Sequence, residues 1–500
     1  MKLCKFHKVQ QKFDNLRNSV TKVPFLRSYV MNIKRGGIVL NNLRKLPVIS
    51  MVTAILLCTC IASSVAEVLS FSPGVNMDNV STAFLQEHPN VELITDGIWY
   101  DTTSELVGAM LTRSFQGDIF ALNTMAKDLS ILYKHGYCLD LSSSGIISEA
   151  IARMHPAIAQ QVMFDGGIYG VPTMISFNFQ IVHAASWVAC GYTDADVPQS
   201  FPQLLSFLDG WCDRLEKEGN AEYRSFGGFD VFYSPSSYTQ LLLGYLIDEV
   251  VLQSNYANVP VNFDETTMVP LLEECKRIGE RLYETEAPIT SVYGGGAPLF
   301  TSLVQLQWPE RMEEVMFFRL DDSQPKLIQA DLSISALYAG AETPSLGISY
   351  LEKLVETPEE AISYDQVMLY QDAEPKLDPN NQKAMQSYNE KIDELTKQLA
   401  EETLSDSDRE ALKLELEEYQ LRLEACSEES KQYLVSPTQL ESYHTYVGQL
   451  FFPKPNVFNS SANALDMKQQ LIQRYAGEQL TAQQFVAELN RVVEMAQLEN

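Results

Sequence analysis

The chain has 500 residues, 45% of them apolar, which is more than one compact core takes and sets an expectation of two domains with appendages. Its net charge of −28 is unevenly placed: residues 1–50 carry eleven Lys/Arg against one acid, residues 51–66 carry none, and residues 67–500 hold 26 Lys/Arg against 64 Asp/Glu. So acidic a body repels phosphate backbones and anionic lipid, which excludes nucleic acid as a partner of the bulk protein.

The first 66 residues read as a targeting segment. Arg44-Lys45 precedes an uncharged, largely apolar run from Leu46 to Ala62, and small residues then end in Ser64-Val65-Ala66 before Glu67. Basic region, apolar region and small-residue site are the parts of a secretory signal. Cleavage after Ala66 is the expectation. A retained anchor and lipidation at Cys60 are the alternatives, and Met31 offers a second start. Beyond Ala66, Cys138, Cys190, Cys212, Cys275 and Cys426 are odd in number and include no C-x-x-C, so neither a disulfide framework nor a zinc knuckle is indicated.

From Val68 onward, short apolar strands alternate with helical patterns. Val68–Ser72, Val91–Ile94 and Gly117–Leu122 read as strands; Val80/Phe84, Leu106/Met110 and Met125–Tyr133 mark helices between and after them. That alternation predicts βαβ units and a parallel sheet. Asp165-Gly166-Gly167 is turn chemistry, and Tyr169-Gly170-Val171-Pro172 leads into a strand with Ile175, Phe177, Phe179 and Ile181 on one face. Leucine-rich helices at 241–251 and 268–282 build a further body. Lys326–Ile334 reads as a strand, and Gly347–Val355 and the stretch after Thr481 as helices. Tyr293–Pro298 holds three glycines without a G-x-x-x-x-G-K-[ST] pattern and reads as a connector.

The phrases "FLQEHPNVELIT", "GDIFAL", "LSILYKHGYCLDLS", "DGGIYGVP", "SALYAGAETPSLGISYLEKLV" and "YAGEQLTAQQFVAELNRVVEM", in this order, resemble bacterial extracellular solute-binding proteins of family 1. The resemblance spans most of 67–370 and 465–495. It implies an α/β, two-lobed periplasmic-binding-protein-like fold with hinge crossovers, and capture of a small solute for an ABC importer. On that plan, 67–175 with part of 325–375 forms lobe 1, and 176–324 with 376–500 forms lobe 2. One piece departs from the family pattern. Met385, Tyr388, Ile392, Leu395 and Leu399 step by 3 and 4, as do Leu412, Leu416, Tyr419, Leu423 and Cys426, which predicts an inserted antiparallel helical hairpin over 385–426 within lobe 2.

No chemistry-bearing motif accompanies this plan. The six histidines show no metal-ligand spacing, and no G-x-S-x-G occurs, so no catalytic residue, metal or cofactor is assigned. A sugar needs flat rings beside amides and carboxylates, drawn from strand ends and crossovers. Trp99, Asn123, Phe177, Asn178, Tyr233 and Trp308 fall at such places and are the candidate ligand residues. The expectation is an exported, monomeric carbohydrate-binding protein, periplasmic or at the cell surface, with an ABC permease as partner. A non-transport surface protein using the hairpin, and a secreted carbohydrate-active enzyme, are the alternative readings.

Overall fold

Short strands and helices alternate from Glu67 onward in the computed structural model, which describes residues 67–75, 78–95, 98–218, 223–226, 234–290, 297–304, 308–309, 311–356, 363–400, 405–427, 429–458 and 462–499. The signal or anchor segment at 1–66, the glycine connector at 291–296 and Tyr233 lie outside these residues. Strand β1 (Glu67–Phe71) buries Leu69 and Phe71, and α1 (Asp78–Glu87) covers them with Val80 and Phe84. Parallel β2 (Val91–Thr95) follows, then α2 (Thr103–Leu111), then β3 (Ile119–Asn123), parallel to β1 on its other side. Thr102 starts α2 with a capping box: its hydroxyl accepts from Glu105 N at 3.2 Å while Glu105 reaches back to the Thr102 amide. Helix α3 (Leu129–Lys134) closes this run.

The strand that organises the rest is β4 (Val171–Val182). A tight hairpin leads into it, with Asp165 and Gly166 at φ +48° and +84°, the left-handed pair that an Asp-Gly two-residue turn adopts. Ile175, Phe177 and Phe179 are buried while Ser176, Asn178 and Gln180 are not, the period of a half-buried strand. After it come α4 (Phe201–Glu218), β5 (Tyr223–Phe226), α5 (Pro235–Ala257), α6 (Glu265–Thr290), β6 (Ala297–Val304), β7 (Val315–Met316) and β8 (Ile328–Leu337). The main sheet runs β2-β1-β3-β8-β4-β6-β5. Residues 171–177 of β4 pair antiparallel with β8, and residues 178–182 pair antiparallel with β6. The partner changes between Phe177 and Asn178. Pro172 sits inside this central strand beside a register shift at Ser333/Ile334, and such an irregularity is where a missing amide donor is tolerated.

Two hydrophobic cores lie on either side of that change of partner. The first gathers Phe71, Phe84, Phe120, Phe177, Leu332 and Tyr350; the second gathers Leu208, Leu246, Leu272, Phe300 and Phe485. The architecture is thus an α/β body of two lobes sharing one strand. Within the second core, fully buried Glu286 accepts from Trp211 Nε1 (2.8 Å), Ser225 N (2.7 Å) and the Tyr238 hydroxyl (2.5 Å), tying α4, β5, α5 and α6 together. The closing helix α12 (Ala482–Glu499) is capped by Thr481, whose hydroxyl accepts from Gln484 N at 3.2 Å. All five cysteines beyond Ala66 are free, and four are buried. Burial pushes the Cys138 thiol up to about 12 and that of Cys212 to about 11. Among the described residues, no helix is long and apolar enough to cross a membrane.

The packing corrects the lobe boundaries read from the sequence. Trp308, Met312 and Val315 belong to the first core, and so do Val435, Leu440 and Tyr443, although 176–324 and 376–500 were expected in the second lobe. The reason lies in pairing: β9 (Lys376–Leu377), which follows α7 (Pro344–Val355), pairs with β10 (Tyr433–Val435), returning the chain to the first core. Between β9 and β10 stand α8 (Pro379–Leu399) and α9 (Asp406–Ser427). They run antiparallel: Asn381 Nδ2 donates to Cys426 O at 2.9 Å, Arg409 Nη1 to Leu399 O at 2.9 Å, and the rings of Tyr388 and Tyr419 are 5.9 Å apart. Beyond them, α10 (Pro437–Tyr446) lies on the first core, and β11 (Leu450–Phe451) and α11 (Ala462–Ala476) lead to α12.

Candidate functional site

Where β4 changes partner, the side chains of Asn178 and Gln180 face away from the buried row. Above them lies a cleft made of two adjoining cavities of about 150 and 160 Å³, which share Asn178, Asp248, Leu252 and Gln329. Gln329 comes from β8 in the first lobe and Asp248 and Leu252 from α5 in the second, so the cleft is lined from both cores. Polar and apolar groups line it in about equal measure. The Tyr245 hydroxyl donates to Gln180 Oε1 at 3.4 Å, and the Tyr245 ring stacks on Phe318 at 4.7 Å. Lys468 donates to Asp248 Oδ1 at 2.8 Å from beneath, while Asp248 itself remains 59% exposed. Burial raises the Glu249 carboxyl above its ordinary range, against the hydrogen bond from Gln253 and the charge of Arg319.

Under the first-lobe wall lies a second polar knot. Asp331 of β8 accepts from the Asn123 amide, from Thr124 Oγ1 at 2.7 Å and from Met125 N at 3.1 Å. Burial raises the Asp331 carboxyl even so. The knot fixes the turn after β3 and with it Met125, whose side chain lines the cleft and whose sulfur accepts from Gln329 Nε2 at 3.8 Å.

Of the six residues singled out in the sequence, Asn178 lines both cavities. Asn123 stands behind the wall with its amide engaged by Asp331. Trp99 is 66% exposed and lines neither cavity; its ring lies over Gly74, where φ is +92° and a Cβ would come within 3.8 Å of it. Phe177 and Trp308 are core residues and cannot stack on a ligand. They are 3% and 1% exposed, with ring centroids 5.0 Å apart, and both pack against Tyr443. Trp308 also donates Nε1 to Ser442 Oγ at 2.9 Å and its amide to the Tyr364 hydroxyl at 2.7 Å. Position after a strand suggested access, and the alternation along β4 decides the opposite for Phe177.

The residues missed include Gln180 and Gln329 and, above all, those of α5. Tyr245, Asp248, Leu252 and Asn255 recur at three- and four-residue steps on one face. That polar interruption of a leucine-rich helix was the available signal. A larger cavity of about 450 Å³, lined by Arg153, Thr173, Leu354, Tyr370 and Lys376 among others, lies on the flank of the first lobe and takes no side chain from the second core. Chemically, the cleft offers amides, two carboxylates and a phenol, which suit the hydroxyl groups of a polar solute. Among the described residues, the carboxylates that line it are Asp248 and Glu249, neighbours on one helix rather than opposed across the gap as a glycosidase requires. Among the same residues, no three His, Cys, Asp or Glu side chains group so as to hold a metal ion.

No family model and no curated protein matches the sequence. Solved structures similar to this chain include a chitin oligosaccharide binding protein (TM-score 0.47, 13% identity, covering 86% of this chain and 99% of that one). They include maltose-bound MalE3 of T. maritima (0.45, 13%, 87% and 100%). They include too an extracellular solute-binding protein of family 1 from Alicyclobacillus acidocaldarius (0.44, 13%, 86% and 98%). At such identities and scores the likenesses assign no ligand to this chain.

Proposed function

We propose that the protein is an exported solute-binding protein, periplasmic or at the cell surface, that captures a carbohydrate between its two lobes as a monomer and delivers it to an ABC permease. The observation that carries this reading is the polar cleft at Asn178 and Gln180, walled by both lobes and floored by the strand they share. Ligand contacts to both walls favour closure about β4, a hinge motion. The segment resemblance and the basic, apolar, small-residue order of 1–66 support the importer context and export. The reading is one of binding rather than catalysis.

A thermal-shift screen of mono- and oligosaccharides tests it. A saccharide at a hundredfold excess over its Kd should stabilise the fold by about 2.7 kcal/mol. Asn178→Ala should abolish most of that gain with apo stability changed by no more than about 0.5 kcal/mol, since its side chain is exposed. Asp248→Asn should abolish it too, at an apo cost of about 1 kcal/mol because Lys468 loses its carboxylate partner. Trp308→Ala should do the reverse, lowering apo stability by about 3–5 kcal/mol as a core truncation. A shift with peptides or polyamines and none with sugars would replace the ligand class, and no shift with any solute would overturn the reading.

A further inference from the structure

Helix α9 carries two apolar seams and uses one. Leu412, Leu416, Tyr419, Leu423 and Cys426 are half-buried toward α8. A second series, Ala411, Leu414, Glu418 and Leu421, also steps by 3 and 4 and is exposed, apolar except at Glu418, which pairs with Arg422. Leu414 and Leu421 are 64% and 65% exposed and lie seven residues apart, two turns along one face. Along one flank of this outer seam run exposed Glu410, Glu417 and Glu424 in heptad register; along the other lie Glu415 and Arg422, engaged by Lys391 and Glu418.

We propose that this outer face docks one helix of a partner protein, an amphipathic helix whose apolar seam is flanked by Lys and Arg. Charge complementarity selects that occupant. A row of three glutamates beside two leucines is the half of a helix pair that matches basic flanking positions. A second copy of this chain fits worse: antiparallel pairing sets the glutamate row against itself, and parallel pairing sets Glu410 against Glu415 and Glu418 against its own copy, with Glu417 opposite Arg422 as the one favourable flanking pair of those three. With two leucines at its centre the face suits a weak, reversible contact. Because α8 and α9 stand outside the cleft, the contact leaves solute capture unobstructed and does not depend on the proposed ligand.

The probe is a labelled helical peptide of about four heptads with an apolar seam and Lys at the flanking positions, titrated into the exported protein at physiological salt and read by fluorescence anisotropy. The Leu414→Gln/Leu421→Gln double variant should bind it at least about tenfold more weakly, with an unchanged melting temperature because both leucines are exposed. Glu417→Lys/Glu424→Lys should shift preference to a peptide with Glu flanks. Equal binding by the wild type and the leucine variant, or none by either, overturns the proposal. Sedimentation showing a wild-type dimer that the leucine variant lacks overturns it in favour of self-association.

Discussion

Adjacent residues at the shared strand have opposite fates. Phe177 ends the stretch paired with β8 and is buried against Trp308, while Asn178 begins the stretch paired with β6 and faces the cleft. His155 makes a sharper case of burial. Its ring meets Tyr443 edge-on at 5.1 Å and lies 5.9 Å from that of His444; its Nε2 has no hydrogen-bond partner among the described residues. Burial, then repulsion from His444, lowers its pKa to about 4, below the ordinary 6.5. The neutral imidazole therefore contributes stability that is present above about 6.5 and is lost as pH falls toward 4. Melting temperature measured against pH should fall more steeply across that window for the wild type than for His155→Phe, and parallel curves would contradict the assignment. The sequence made Trp308 and Asn178 equal candidates because flanking strands say nothing about which face a side chain takes once a strand changes partner. For Phe177, the alternation already written in Ile175 to Ile181 carried the answer.

Elements with strong periodicity were the legible ones. The 3-4 steps of the hairpin, the alternation in β4 and the capped closing helix are all visible in the chain, because each pattern is local. Helix α8 begins six residues before the first seam residue, at Pro379, since Asp378 accepts from Asn380 N at 2.8 Å and proline suits the first turn. Helix α5 builds the second core with Leu242, Leu246 and Val250, as its leucines indicate; the polar residues that its C-terminal half turns to the cleft were not read from the sequence. Lobe membership of 433–447 was not legible, because it depends on the pairing of two- and three-residue strands far apart in sequence. That pairing makes a prediction. Replacing 379–427 by a short Gly/Ser turn between β9 and β10 should leave Val435, Leu440 and Tyr443 in the first core and cost no more than about 1 kcal/mol, measured by urea unfolding. Failure of the deletion to fold would show that the hairpin supports the first lobe.

At the scale of the whole molecule, one strand serves two cores. Residues 171–177 and 178–182 of β4 have different partners, so bending between residues 177 and 178 would leave both sets of pairs intact. The cleft lies at that point, and on the proposed function a solute touching Gln329 on one wall and Asp248 on the other would favour the state in which the walls approach. Small-angle X-ray scattering of the protein, with and without the saccharide that most raises its melting temperature, tests this most directly. The radius of gyration should fall on ligand addition in the wild type and stay unchanged in Asn178→Ala at the same concentration. A wild-type protein that gains thermal stability with no change in radius would contradict closure about β4.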